Sequence, residues 1–534
     1  MERELIIVLD FGGQYKQLIA RRVRECNVYC EIHPHTLSME KIREMNPKGI
    51  ILTGGPASVY DEDSPTCSPK LFELGIPVLG ICYGSQLMAY RCGGVVEPAD
   101  TSEYGRTEVE IDEADSPLFR HVETEKNENG TNSHPENSTI CWMSHTDRIV
   151  RLPQGFRTTA HTENCPIAAM EDPARKLYAV QFHPEVSHTP EGTKMLRGFV
   201  MDVCGCRGDW QMSSFVETTI RELREKIGDD HVILGLSGGV DSSVAAALLS
   251  RAIGRQLHCV FVDHGLMRKN EGDEVEAIFG PTGSFDLNFT RVNARDTFFL
   301  QLMGESAPES KRKVIGSVFP QVFGEEAKKL KGKVRYIAQG TIYPDVVESG
   351  EGGTGDVIKS HHNVGGLPRD LVRKLGFDET PIEPLRMLFK DEVRRVGLEL
   401  GIPRDLVYRQ PFPGPGLGVR IVGEISPAKV QTVQEADYIF REELHRAGID
   451  QDLGQYFAAL SNMRSVGVQG DHRTYGLAIV LRAVLTSDFM TAEAAEIPWP
   501  VLQRCMTRII NEVPGVNRVL YDITSKPPGT IELE

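Results

Sequence analysis

Short apolar runs alternate with amphipathic stretches through roughly the first four hundred of 534 residues. Leu5–Leu9, Gly49–Leu52, Val78–Ile81, Val232–Leu236 and Cys259–Val262 contain no charged or amide side chain. Strands buried on both faces read as such continuous runs, whereas a strand with one wet face alternates. Lys16–Glu25 and similar stretches between them carry apolar residues at helical spacing. The pattern predicts an α/β chain with two doubly wound parallel-sheet domains. After Gln410-Pro-Phe-Pro-Gly-Pro-Gly416, whose prolines and glycines forbid regular structure, the order changes. A helix around Pro427–Arg446, a strand over Tyr475–Ala483 and a helix around Val501–Glu512 predict a smaller α+β domain. With a first break near Cys204–Asp209, the expected domains are 1–206, 207–410 and 411–534. Thr124–Ser138 is polar and reads as a surface insertion. No internal repeat is visible.

Composition narrows the setting. The chain is too long for a single core, and its 40% apolar and 25% charged residues are ordinary for a globular enzyme. A net charge of −16 argues against nucleic acid or an anionic membrane as a general partner, though local basic pockets could still hold phosphates. Leu5–Leu9 is too short for a secretory core, and no apolar run reaches the roughly 18 residues of a membrane span. The 11 scattered cysteines suit free thiols in a reducing cytoplasm. Cys204-Gly-Cys206 lacks the spacing and the second pair of a zinc site, and the sequons at Asn129, Asn137 and Asn288 are chance matches.

Candidate chemistry appears first at Gly80-Ile81-Cys82-Tyr83-Gly84, between a strand and a short helix. A nucleophile on so sharp a turn needs small neighbours, and the helix N-terminus favours a thiolate. Thr53-Gly54-Gly55-Pro56 follows another strand and could add an oxyanion donor. Taken alone, the cysteine could be a structural one. In Val180-Gln181-Phe182-His183-Pro184-Glu185 the proline favours an extended backbone, which points His183 and Glu185 the same way. Cys82 as nucleophile, His183 as base and acid, and Glu185 as its orienter make a complete triad. With Asp10-Phe-Gly-Gly-Gln14 and Trp142-Met-Ser-His145, residues 5–200 resemble the class I glutamine amidotransferases. That resemblance implies oxyanion donors on the Gly55 and Tyr83 backbone and places Gln86 near the substrate glutamine.

A second candidate is Leu236-Ser-Gly-Gly-Val-Asp-Ser-Ser243, between a strand and a helix. Its glycines let backbone N–H groups converge on an anion at a helix N-terminus. Ser237, Ser242 and Ser243 add hydroxyls, and Asp241 could hold magnesium. The string is neither a Walker loop nor a dinucleotide fingerprint. It resembles the PP-loop of the N-type ATP pyrophosphatases, which implies Ser237, Gly238, Gly239, Val240, Asp241, Ser242 and Ser243 around ATP, and an adenine pocket at Asp263-His-Gly265.

Several products remain open to such a pairing. Gln339–Asp345, Ile358–Pro368, Pro411–Leu417, Val466–Asp471 and Ser525–Ile531 are similar to stretches of the glutamine-hydrolysing GMP synthetase family. The resemblance implies the substrates XMP, ATP and glutamine, and a C-terminal domain that dimerises the chain and completes the XMP pocket. It implies XMP contacts from Arg312, Gln469, Lys526 and Glu532. From the residues alone, Lys311-Arg-Lys313 reads equally as a solvated charge cluster, and Lys526 as a loose end stiffened by two prolines. The sequence departs from the family at Gly13, Gln410, Gly418-Val419 and Leu533, and the last puts in doubt how the tail packs. Rival readings are another PP-loop amidating ligase, against which the acidic balance and the tail argue, or a non-catalytic relative, against which the intact triad and loop speak.

Overall fold

The computed structural model describes residues 3–123, 137–348, 372–373, 376–378, 380–469, 472–486 and 491–534. The expected insertion lies almost wholly outside them, as does the Ile358–Pro368 motif. Two compact units emerge, 1–215 with 344–358, and 216–343 with 359–534.

The first unit is built on a nine-stranded sheet of order β2-β1-β3-β4-β9-β8-β7-β5-β6. Five strands run parallel: β1 (Leu5–Asp10), β2 (Tyr29–Pro34), β3 (Gly49–Leu52), β4 (Val78–Ile81) and β9 (Leu177–Val180). The apolar runs become these strands because both faces are covered: β3, β4 and β9 are buried at every position. The parallel block is extended by an antiparallel part, β5 (Val95–Ile111), β6 (Ser138–Arg151), β7 (Arg157–His161) and β8 (Ala169–Asp172). The largely polar β5 gives no strand signal in the sequence.

The second unit holds a parallel sheet of order β12-β11-β10-β13, from β10 (His231–Leu236), β11 (Leu257–Asp263), β12 (Asn288–Asn293) and β13 (Val334–Ala338). A further sheet pairs the long hairpin β14 (Gln455–Gln469) and β15 (His472–Leu485) with β16 (Glu493–Ala494) and β17 (Val516–Tyr521). The expected helices run over Pro427–Arg446 and Trp499–Glu512. A single apolar core joins both sheets, from Ile233 and Val260 through Leu417 and Ile421 to Phe440, Ile479 and Ile509. Gln410, at the start of the proline–glycine segment, holds the Tyr456 backbone with both ends of its amide, at 2.7 and 2.8 Å.

Candidate active sites

In the first unit, β4 lies between β3 and β9, so the C-terminal ends of three parallel strands meet. Such strand ends are where open α/β sheets place their ligands. Cys82 follows β4 with φ of 52° and caps the helix Tyr83–Arg91. A non-glycine residue in this region is strained, as expected of a nucleophile on an elbow. The turn tolerates no bulk. A Cβ on Gly80 would sit 2.6 Å from the Gly84 carbonyl, and one on Gly84 2.6 Å from that of Leu52.

His183 lies beyond β9, held by its N–H to the Trp142 carbonyl and by the Thr189 hydroxyl on its own carbonyl. Its Nδ1 meets Glu185 Oε1 at 2.8 Å, with the two side chains 7% and 1% exposed. Burial opposes charge on His183. The Glu185 carboxylate and the hydrogen bond with Cys82 outweigh it and hold the pKa well above the ordinary histidine value. Gly54 lines the same pocket, because a Cβ there would lie 3.2 Å from His183 Cε1 and 3.6 Å from Cys82 Cβ. Gly55 packs on the Phe11 carbonyl, where a Cβ would come within 2.6 Å. Tyr83 is the first helical residue, and the first-turn N–H groups of a helix have no intrahelical acceptor. Gln86 is buried, its Nε2 donating to the Asp147 carbonyl at 2.9 Å and to Gln181 Oε1 at 3.1 Å. Gln181, which the sequence did not single out, points its own Nε2 at Cys82 Sγ from 3.8 Å. Gly13 also finds its reason here: a side chain would collide with the Gly54 carbonyl.

In the second unit, the loop after β10 runs into the helix Val240–Ile253. Gly238 takes φ of +79°, which a side chain would strain. Ser237 Oγ lies 3.0 Å from Ser242 Oγ and accepts the Gly239 N–H at 3.3 Å, and Ser243 Oγ donates to the Gly239 carbonyl at 2.9 Å. Asp241 Oδ2 pairs with Lys390 Nζ at 2.6 Å, while its buried Oδ1 has no hydrogen-bond partner. Lys390 opens the helix Lys390–Glu399, far along the chain, and no local motif marks it. Gly340 comes up against the loop after β13, where a Cβ would sit 3.1 Å from Asp241 C and Ser242 N. That contact explains the glycine in the Gln339–Asp345 motif. His264, beside the loop's sheet, is pushed down to about 4 by burial.

The tail residues converge only in part. Glu532 accepts from Arg420 at 3.1 Å and from Gln455 at 2.8 Å, and Arg312 donates to the Glu534 carbonyl oxygen at 2.7 Å. Lys311 is no solvated cluster: its side chain is 0% exposed, donating to the Ile421 carbonyl at 2.7 Å and pairing with Glu534. Lys526 bridges its backbone to Ala492 at 2.8 Å. Gln469 ends β14, and its side chain lies outside the described residues. Leu533 is 37% exposed, so Ile531 in a small core and the flanking glutamates anchor the tail instead.

A cysteine elbow backed by a histidine–glutamate pair, and a serine–glycine loop over parallel strands, define a ligase of the class that couples glutamine to ATP. Family models agree along the chain: "Glutamine amidotransferase class-I" matches residues 7–203, "NAD synthase" 212–294 and "GMP synthase C terminal domain" 442–533. The chain is 64% identical over 534 residues, all of both chains, to the GMP synthase (glutamine-hydrolyzing) of Clostridium botulinum (strain Alaska E43 / Type E3). It is 62% identical over 544 residues, again all of both, to the protein of that name from Lachnospira eligens, and 57% over 532 to that of Clostridium perfringens. The chain belongs to the glutamine-hydrolysing GMP synthase family. The NAD synthase match covers the phosphate-loop segment alone, and the C-terminal match separates the two products.

Proposed function

We propose that Cys82, His183 and Glu185 release ammonia from glutamine and that the Ser237–Ser243 loop directs ATP to the carbon that receives it. The chain thereby converts XMP, ATP, glutamine and water into GMP, AMP, pyrophosphate and glutamate. The observation that carries this reading is the buried His183–Glu185 pair at 2.8 Å beside a cysteine on a strained elbow.

Cys82 Sγ attacks the glutamine carboxamide after its proton passes to His183, which returns it to the departing ammonia. The N–H groups of Gly55 and Tyr83 bind the oxyanion, Gln86 shapes the pocket, and water then hydrolyses the thioester. In the second step, O2 of XMP attacks the α-phosphorus of ATP and pyrophosphate leaves. The N–H groups of Gly238, Gly239 and Val240 and the hydroxyls of Ser237, Ser242 and Ser243 hold the departing phosphates. Ammonia then displaces AMP at C2. The unpartnered Asp241 Oδ1 suits a magnesium ligand, and the ion, when bound, would neutralise charge on the pyrophosphate. Arg312, Gln469, Lys526 and Glu532 are proposed to contact XMP.

This reading divides the labour over 1–206, 207–410 and 411–534. It takes the protein as a cytoplasmic homodimer, supported by eleven unpaired cysteines and by Val466, Val468 and Tyr475 exposed along one face of the β14–β15 hairpin. Among the described residues no helix is long and apolar enough to cross a membrane. The test is Cys82→Ala. Glutamine-dependent GMP formation should fall by at least about 10³-fold, while synthesis from added ammonia continues. A variant that still uses glutamine would sink the assignment.

A further inference from the structure

The strand pair β5–β6 buries a carboxyl–imidazole pair that the triad does not use. Glu103 and His145 face each other across the ladder, with Glu103 Oε2 3.1 Å from His145 Nε2 and side chains 6% and 2% exposed. The other ring nitrogen, Nδ1, lies 3.0 Å from the Asp147 carbonyl. Thr162 donates to the free Glu103 oxygen at 2.7 Å. Both ring nitrogens thus face oxygen atoms, one of them on an ionised Glu103. Burial works against that charge on Glu103, but bonds from His145 and Thr162 hold its carboxyl below the usual range. Cys165 lies within 4.8 Å of both groups, yet its thiol donates to the Ile167 carbonyl and burial pushes it up to about 12, so the trio is no metal site.

The pair sits under the wall of the cysteine pocket. The Asp147 carbonyl that receives His145 also receives Gln86, and Gln86 leads through Gln181 to Cys82 Sγ. Asp147's carboxylate takes the hydroxyls of Ser58 at 2.5 Å and Tyr60 at 3.0 Å, on the loop that follows Gly55. Ser144, next to His145, presents its carbonyl 3.8 Å from the Cys82 sulfur. We infer that Glu103 is a positioning residue for glutamine: through His145 it fixes residues 144–147, and with them Gln86 and the loop at Ser58–Tyr60. The inference rests on the amidotransferase reading of Cys82.

The experiment compares Glu103→Ala, Glu103→Gln and Cys82→Ala in the full chain. Glu103→Ala leaves the ring without its partner, so KM for glutamine should rise about tenfold with kcat changed less than about threefold. Glu103→Gln should restore the parent KM, because the amide can donate to Nε2 of a neutral ring whose Nδ1–H still reaches Asp147. Glu103→Ala should also slow inactivation by a glutamine-shaped diazoketone about tenfold while leaving Cys82 alkylation by iodoacetamide unchanged, since only the former must fit the pocket. Three results overturn the inference: an unchanged KM in Glu103→Ala, equal impairment of both Glu103 variants, or iodoacetamide slowed as much as the diazoketone. A Cys82→Ala variant that still uses glutamine would instead remove the parent reading, and this one with it.

Discussion

Glu185→Gln changes one atom in a side chain that is 1% exposed and keeps its volume. The amide can still present an oxygen to His183 Nδ1–H, so what is lost is charge. At the 2.8 Å separation, two unit charges in an effective dielectric of 20 attract by about 6 kcal/mol, which is a ceiling because burial opposes both ions. The net worth of a hydrogen bond to a charged group is about 1.5–3 kcal/mol. If the pair supports the imidazolium formed during thiol attack, that loss predicts about a 10- to 150-fold drop in glutamine-dependent kcat/KM. Glu185 is also a main reason the His183 pKa stands above its ordinary value. Its removal lowers that pKa, so the imidazolium is given up at a lower pH. The assay measures GMP formation from glutamine and from ammonia in parallel, with the pH profile of Cys82 alkylation. An unchanged glutamine rate, or an equal fall with both nitrogen sources, would refute the argument.

Gly340→Ala places a methyl 3.1 Å from the backbone of Asp241 and Ser242, so the phosphate loop must shift by a few tenths of an ångström. We expect KM for ATP to rise about tenfold in the ammonia-dependent assay with glutaminase untouched, and an unaltered KM would show the loop to be compliant. His258 and His264 are both pushed down from 6.5 to about 4, in each case mainly by burial. The unfolded chain binds these protons near 6.5 and the folded chain does not, so stability is full above pH 6.5 and declines as pH falls toward 4. Melting curves should therefore show a lower Tm at pH 5 than at pH 7, and a flat Tm across that window would contradict it.

The short strands, the elbow at Cys82 and the loop at Ser237–Ser243 were legible because each depends on neighbours within a few positions. An unbroken apolar run needs two covered faces, and a turn with no room for a Cβ needs glycine, wherever the chain later goes. The hairpin of β5 and β6 was not legible. β5 is mostly polar, and its partner strand follows only after the insertion, so the pairing rests on a register no local pattern encodes. The pairing of His183 with Glu185 could be read from a spacing of two residues, whereas Lys390 on Asp241 and Glu103 on His145 join positions 149 and 42 apart. Lys311 shows the limit from the other side. Beside two more basic residues it reads as a wet cluster, yet Glu534, 223 positions away, closes over it and the side chain is fully buried. Sequence alone made the two chemistries legible, because the Cys82 turn, the His183–Glu185 pair and the Ser237–Ser243 loop are each a short contiguous motif. Tertiary structure decided which charges are buried and which side chains hold the sites in place, because burial and ion pairing depend on distances that only the folded chain creates.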